Sequence, residues 1–137
     1  MAEGVEGAAR TILLVEDNHD SRAIYGTLLR HVGYRVVDAA DGETALALAR
    51  GERPDLVLMD VTLPGVDGLE ATRRLKADPE TRAIVVVALT AHASADSRAA
   101  CLAAGCDSYL SKPIAPRAVL AEVQRLLPPE GPGDRSA

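Results

Sequence analysis

The chain has 137 residues, a length that fits one domain, and its 20 acidic and 15 basic side chains leave a formal net charge of −5. This acidic balance argues against a surface that binds nucleic acid, which normally carries a basic stripe. The chain has no apolar run long enough to span a membrane, and its opening MAEGVEGAAR lacks the basic and apolar regions of a secretory signal. We therefore expect a cytoplasmic protein with a single core.

Five apolar runs alternate with five helical patterns along the chain. We predict strands at residues 11–16, 34–39, 55–60, 83–89 and 107–111. Such alternation is typical of a parallel sheet with helices on both faces. The predicted fold is α/β, a doubly wound, flavodoxin-like (βα)5 sheet in the order 2-1-3-4-5. The domain would occupy residues 11–127, between a flexible N-terminal tail at 1–10 and a disordered C-terminal tail at 128–137.

The predicted helices carry local signals at their first residues. Candidate N-cap residues are Asn18 or Asp20, Asp41, Asp67 and Ser94. Asp67 with Glu70 forms the acidic version of a capping box. In the first helix Ile24, Leu28 and Val32 fall at four-residue spacing, which indicates its apolar face.

Polar side chains follow the apolar runs at the point where each run ends. These residues are Glu16, Asp17, Asp60, Thr90 and Lys112. Because the carboxyl ends of parallel strands line one edge of a sheet, we expect these side chains to converge. The first and third strands are neighbours in the predicted order, so their acids would repel and raise one another's pKa unless a cation joins them. Mg²⁺ suits such a site, because it prefers oxygen ligands.

The same residues complement a phosphoryl group. The Lys112 ammonium can neutralise one phosphoryl oxygen, the Thr90 hydroxyl can hydrogen-bond a second, and a divalent ion can cover the third. The carboxylate of Asp60 is then free to attack phosphorus and form an aspartyl-phosphate. Taken alone, Asp17 is better explained as the start of a helix cap and Asp60 as a turn residue, but their matching positions together predict a phosphoryl-transfer site.

In combination and in order, the motifs VEDN, MDVTLPGVDGLE, ALTA and YLSKP resemble those of a response-regulator receiver domain of bacterial two-component signalling. The resemblance covers essentially all of residues 11–127. It implies that a histidine kinase or a histidine phosphotransfer protein phosphorylates Asp60. It also implies Mg²⁺, or Mn²⁺ in its place, held directly by Asp17 and Asp60, with Glu16 acting through water and the main-chain carbonyl of Thr62 as a further ligand.

The resemblance assigns further roles around the fifth strand. Thr90 and Lys112 would contact the phosphoryl group, the peptide bond from Lys112 to Pro113 would be cis, and Tyr109 would act as a rotamer switch. A separate downstream protein would read the surface formed by the fourth helix, fifth strand and fifth helix, with no nucleic acid or membrane as partner. Such a single-domain regulator is a signalling phosphoprotein and not an enzyme, beyond catalysing its own phosphorylation and dephosphorylation.

Two positions near the predicted site are expected to modulate the lifetime of the phosphate. Thr62 lies two residues after Asp60, and His92 lies two residues after Thr90. Both should border the path of the attacking water.

Three alternatives remain open. A haloacid-dehalogenase-like phosphatase also uses a strand-end aspartate with Mg²⁺, but it requires a second aspartate where this chain has Thr62. A flavodoxin-like carrier of FMN would offer hydroxyls and glycines to the phosphate in its first loop, whereas this loop reads Glu-Asp-Asn-His-Asp and would repel it. The third alternative is a receiver that serves only as an interaction scaffold.

Overall fold

The computed structural model describes residues 10–92 and 94–128. The strands in these ranges are β1 Thr11–Val15, β2 Arg35–Ala39, β3 Leu56–Asp60, β4 Val85–Thr90 and β5 Ser108–Ser111. The helices are α1 His19–Val32, α2 Gly42–Glu52, α3 Gly68–Ala77, α4 Ala95–Ala104 and α5 Pro116–Leu126. Each end of a predicted strand lies within two residues of the observed end. Apart from Arg10 and Pro128, the predicted tails lie outside the described residues.

The five strands form one parallel sheet in the order β2-β1-β3-β4-β5, which confirms the predicted order 2-1-3-4-5. Every residue of β1 and of β3 is buried, because neighbouring strands flank each of them and helices cover both faces. The register pairs Val15 with Met59 and Asp60 with Leu89, so the ends of the three central strands lie side by side. The sheet therefore has one carboxyl edge to which all of its strands contribute.

Alternate residues of the central strands enter two separate cores. Along β1, Leu13 and Val15 pack on the face that α2, α3 and α4 cover, whereas Ile12 and Leu14 pack on the face that α1 and α5 cover. The chain has no Phe or Trp, so Leu, Val, Ile and Ala fill most of both cores. None of the helices in the two described ranges is long and apolar enough to cross a membrane.

Side-chain caps begin four of the five helices. The caps are Asn18 for α1, Asp41 for α2, Asp67 for α3 and Ser94 for α4, and each side chain accepts from the backbone N–H three residues later. The second half of the predicted capping box at α3 is wrong. The Glu70 carboxylate accepts from Arg73 at 3.2 Å and from Arg74 at 3.0 Å. Two guanidinium donors on the next turn attract this carboxylate more strongly than one uncharged amide, and their hydrogen bonds lower the pKa of Glu70.

The buried face of α1 differs from the face that four-residue spacing indicated. Ile24 is 53% exposed, whereas Tyr25 and Leu29 are buried. The adjacent Gly26 is also buried. The helix therefore packs against the sheet through a face that includes a glycine. Tyr25 fixes this orientation, because its hydroxyl donates to the carbonyl of Ile114 at 3.2 Å. Spacing alone does not distinguish two adjacent rows on one helix.

Two helix starts lie directly against the loop that follows β3. A Cβ at Gly68 would overlap the carbonyl oxygen of Asp60 and lie 2.8 Å from the Cα of Val61. A Cβ at Gly42 would overlap the carbonyl oxygen of Val66. Only glycine permits either approach, so α2 and α3 hold this loop from both sides.

The two cysteines lie at the end of α4 and are both free and buried. Gly105 adopts φ 107° and ends the helix, and the N–H of Cys106 donates to the carbonyl of Cys101 at 3.0 Å. Burial raises the pKa of Cys106 to about 11, which keeps its thiol protonated and unreactive at neutral pH. These residues pack the core that α2, α3 and α4 share.

Candidate functional site

Three acids meet at the carboxyl edge of the sheet. Glu16 and Asp17 follow β1, Asp60 ends β3, and one carboxylate oxygen from each lies within 4.8 Å of the others. Glu16 is 1% exposed and Asp60 is 3% exposed, whereas Asp17 is exposed. Two buried carboxylates at this separation repel each other in a medium that screens charge poorly. The sheet therefore holds these acids close together despite the repulsion between their negative charges.

Hydrogen bonds hold the backbone carbonyl of Glu16 and one of its two carboxylate oxygens. The Arg22 guanidinium donates to the carbonyl of Glu16 at 2.7 Å, and the N–H of Asn18 donates to Oε2 at 3.2 Å. Oε1 is buried and has no hydrogen bond to any residue in the described ranges. Burial, followed by the charge of Asp60, raises the pKa of Glu16. A buried oxygen left without a donor is a point at which a cation or an ordered water fits.

Lys112 supplies a positive charge to the cluster. Its Nζ donates to Oδ2 of Asp60 at 3.1 Å and lies 3.3 Å from Oε1 of Glu16, an ion-pair distance without hydrogen-bond geometry. Burial alone would lower the pKa of Lys112, but the hydrogen bond and charge of Asp60 and the charge of Glu16 together raise it. Lys112 is therefore an ammonium at neutral pH. The following peptide bond, to Pro113, is cis.

The other oxygen of Asp60 bonds to its own loop. Oδ1 accepts from the N–H of Thr62 at 3.1 Å. Each oxygen of Asp60 thus has one donor in the described residues, Thr62 on one side and Lys112 on the other. A carboxylate with so few donors retains lone pairs for a further partner.

Thr90 ends β4 beside the cluster, but its hydroxyl is engaged locally. Oγ1 accepts from the N–H of His92 at 3.1 Å and lies 3.2 Å from the carbonyl of His92, to which it can donate. The Thr90 side chain is buried, whereas His92 is exposed. The carbonyl of Thr90 accepts from the N–H of Lys112 at 2.6 Å, so this residue also positions the lysine.

Tyr109 lies outside the acid cluster. It pairs with Ala88 in the sheet, is half-buried, and has the Arg98 guanidinium 5.7 Å from the centre of its ring. Sequence reasoning missed Arg98, and it missed Arg22, which holds the carbonyl of Glu16. Neither arginine has a local signal in the sequence, because each contacts a residue on another element.

The oxygen ligands that converge at this edge suit a hard divalent cation. Carboxylate oxygens from Glu16, Asp17 and Asp60 converge, and Lys112 is the cation that the structure places within ion-pair distance of two of them. Mg²⁺ prefers a few carboxylates and completes its shell with water and phosphate oxygens. The unbonded Oε1 of Glu16 fits this chemistry. The edge can therefore hold a cation beside the carboxylate of Asp60.

Comparison with known proteins agrees with this geometry. Residues 12–124 match the response regulator receiver domain. The polar-differentiation response regulator DivK of Brucella anthropi is 43% identical over 105 residues, which cover 77% of this chain and 85% of DivK. The phosphate regulon transcriptional regulatory protein PhoB of Pseudomonas aeruginosa is 38% identical over 128 residues, or 93% of this chain. The matched region spans 56% of PhoB.

Solved structures show the same similarity. The chemotaxis protein CheY4 of Vibrio cholerae superposes with a TM-score of 0.83 at 31% identity, over 88% of this chain and all of CheY4. The receiver domain of a sensor histidine kinase from Pseudomonas aeruginosa gives a TM-score of 0.78 at 42% identity, over 86% of this chain and 97% of that domain, and its structure has a magnesium ion coordinated in the active site cleft. With its sheet order, its acid cluster and these matches taken together, the chain belongs to the response-regulator receiver domain family.

Proposed function

We propose that this receiver domain is a phosphoacceptor in a two-component phosphorelay. A histidine kinase or a histidine phosphotransfer protein donates a phosphoryl group to Asp60 in a reaction that requires Mg²⁺ or Mn²⁺. The phosphate then changes the surface formed by α4, β5 and α5, which a downstream protein reads. A cytoplasmic location belongs to the same proposal, because phosphoryl donors of this class act there.

One observation carries the proposal. The Lys112 ammonium donates to Asp60 inside a cluster of three acids, although the two residues are 52 positions apart in the chain. A lysine beside a lone aspartate would form an ordinary ion pair. A lysine beside three acids leaves some of their carboxylate oxygens for a divalent cation. The ammonium and the cation together can then stabilise the negative charge of a phosphoryl group.

The chain's own residues would carry out the transfer as follows. A carboxylate oxygen of Asp60 attacks phosphorus, a P–O bond forms, and the P–N bond to the donor histidine breaks with its electron pair passing to the imidazole. The Lys112 ammonium stabilises charge on one phosphoryl oxygen, and the Thr90 hydroxyl donates to another. Glu16, Asp17, Asp60 and the carbonyl of Thr62 would hold the cation, which supplies positive charge to the transferring group.

The route from phosphate to surface begins at Thr90. Its hydroxyl now bonds only to the main chain of His92 among the described residues. When it turns to the phosphoryl group, it leaves space next to β5, where Tyr109 pairs with Ala88 two residues before Thr90. Tyr109 then moves inward and changes the exposed face of α4 and β5. The phosphate thus biases an equilibrium between two arrangements.

Incubation with acetyl phosphate and Mg²⁺, followed by intact mass measurement, tests the proposal. We expect one phosphoryl adduct in the natural chain, none in Asp60→Asn, and none when EDTA removes the cation. Asp55→Asn is the matched control, because Asp55 precedes β3 whereas Asp60 ends it, and we expect it to be labelled normally.

The absence of any adduct, with acetyl phosphate and with a panel of histidine kinases, would contradict the proposal. It would favour the scaffold alternative, in which the fold binds partners without phosphorylation. Rapid repeated turnover of the donor without an adduct would instead indicate a phosphatase.

The lifetime of the phosphate belongs to the same proposal. The N–H of Thr62 bonds to Asp60, and the N–H of His92 bonds to the Thr90 hydroxyl. Both contacts support the proposal that these two residues border the path of the attacking water. We expect Thr62→Ala and His92→Ala to change the rate at which the adduct disappears while phosphorylation still occurs. Unchanged lifetimes in both variants would remove these two residues from the proposal.

A further inference from the structure

Arg98 and Tyr109 form a contact between α4 and β5. The Arg98 Cζ lies 5.7 Å from the centre of the Tyr109 ring, within the range of a cation–π interaction. Arg98 is exposed and Tyr109 is half-buried, so the guanidinium covers the ring from the solvent side.

The contact lies in a groove of about 390 Å³ on this face of the molecule. Its remaining walls are small or aliphatic, namely Ser94, Ala95, Ala99 and Leu102. Alanine and serine side chains offer a phenol ring no strong directional contact. In this groove the guanidinium is therefore the group with a specific electrostatic attraction for the ring face.

The groove is adjacent to the route by which the site would signal. Tyr109 pairs with Ala88 in the sheet, and Ser111 pairs with Thr90. The next residue, Lys112, donates its N–H to the carbonyl of Thr90 at 2.6 Å. The Tyr109 ring therefore stands on the strand that leads directly into Lys112.

We infer that Arg98 is a positioning residue for Tyr109. Its guanidinium holds the ring in the groove against α4, and so the charge at residue 98 sets the balance between this arrangement and the one that phosphorylation favours. The first half of the inference concerns the unphosphorylated protein alone, and the second half rests on the proposed function. An exposed cation–π contact corresponds to a change of about two- to fivefold in that balance.

Fluorine NMR of the full chain labelled with 3-fluorotyrosine tests the inference. The chain has three tyrosines and no tryptophan, so the spectrum contains three lines, and Tyr109→Phe identifies the line of interest. Arg98→Met keeps the length of the side chain and removes its charge, Arg98→Lys keeps a cation, and Arg117→Met removes one exposed positive charge from α5 as the matched control.

In the unphosphorylated protein we expect Arg98→Met to shift the Tyr109 line toward its position after acetyl phosphate treatment. Arg98→Lys should restore most of the natural position, and Arg117→Met should leave it unchanged. With a donor present, the balance in Arg98→Met should favour the phosphorylated arrangement about two- to fivefold more than in the natural chain.

Two results would overturn the inference: a Tyr109 line that is the same in Arg98→Met and the natural chain, or a shift in Arg98→Lys as large as in Arg98→Met. The second result would assign the contact to packing and not to charge. If acetyl phosphate gives an adduct but moves no tyrosine line in the natural chain, the proposed Tyr109 switch fails, while the unphosphorylated variants still decide the role of Arg98.

Discussion

The two edges of the sheet carry the same kind of residue and use it in opposite ways. At the amino edge, Asp55 and Asp107 each stand immediately before a strand and are exposed. At the carboxyl edge, Glu16 and Asp60 stand at the end of a strand and are buried. Burial would normally favour the better-bonded acids. Here the buried acids have no more donors than the exposed ones, since each pair accepts three hydrogen bonds from the described residues.

The amino-edge acids are bound to the backbone of neighbouring strands. Oδ2 of Asp55 accepts from the N–H of Thr11 at 2.8 Å. Oδ2 of Asp107 accepts from the N–H of Val86 at 2.8 Å and from Nζ of Lys76 at 3.1 Å. Each acid thus joins the start of its own strand to the start of the next, and its role is structural.

The difference shows that a carboxylate with few donors marks a site where it is buried and a support where it is exposed. An exposed carboxylate completes its hydrogen bonds with water, whereas Oε1 of Glu16 is buried without a hydrogen bond among the described residues. The buried acids make the carboxyl edge less stable than it could be, and binding of a cation and a phosphoryl group would relieve that unfavourable energy. Substitutions at the two edges should therefore have separable effects.

The largest expected effect is at Lys112. Lys112→Met removes the ammonium that bonds to Asp60, so we expect labelling by acetyl phosphate to slow by about a hundredfold or more. Lys76→Met is the matched control at the amino edge, where Nζ bonds to the carbonyls of Arg82 and Ile84 and to Asp107. That variant should lose stability and keep its labelling rate. Equal labelling rates in both variants would erase the distinction between the edges.

The second expected effect is stabilisation by Mg²⁺. A ligand that binds only the folded state at a hundred times its Kd adds about 2.7 kcal/mol to the free energy of unfolding. Urea unfolding with Mg²⁺ and with EDTA should show this gain in the natural chain and in Asp55→Asn, and a smaller one in Asp17→Asn. A gain that is the same in all three proteins would place the cation away from the acid cluster.

The third expected effect is a loss of stability at the amino edge. Asp107→Ala leaves the buried N–H of Val86 without its carboxylate partner and breaks the ion pair with Lys76. We expect the free energy of unfolding to fall by about 1–3 kcal/mol, with normal phosphorylation of the folded protein. Asp107→Asn should lose less, since an amide oxygen still accepts from Val86. Urea unfolding measures both, and an unchanged value for Asp107→Ala would refute the structural role.

The smallest expected effect is at an exposed ion pair of the amino edge. Arg53 and Glu80 lie 3.4 Å apart, and both side chains are more than half exposed to solvent. Solvent screens such pairs, so Arg53→Met should change the free energy of unfolding by no more than about 0.5 kcal/mol. A larger loss in urea unfolding would show that contacts at this edge cannot be ranked by burial.

Local chemistry explains what the sequence predicted well. The N-caps at Asp41 and Ser94 were found because a cap acts within three residues of itself. The contact between Asp60 and Lys112 spans the domain, yet it followed from strand order, since parallel strands end at one edge. The family motifs in the chain led to the same four strand ends.

What the sequence did not predict depends on contacts between elements. The face of α1 was misjudged at Ile24 because the choice between adjacent rows is made by the sheet and by the Tyr25 hydroxyl. The Glu70 side chain turned to two arginines and not to the cap. The position of Arg98 over Tyr109 depends on the packing of a helix against a strand. Residue spacing does not reveal which of several possible contacts between elements a side chain makes.

Gly68 has a consequence for how this domain can vary. It carries no group that a phosphoryl transfer uses, yet any side chain there would displace the carbonyl of Asp60 or the start of α3. In a saturation library selected for phosphorylation, position 68 should accept almost as few amino acids as position 60. A functional site can thus restrict which amino acid occupies a neighbouring position, because the site leaves no space there for a side chain.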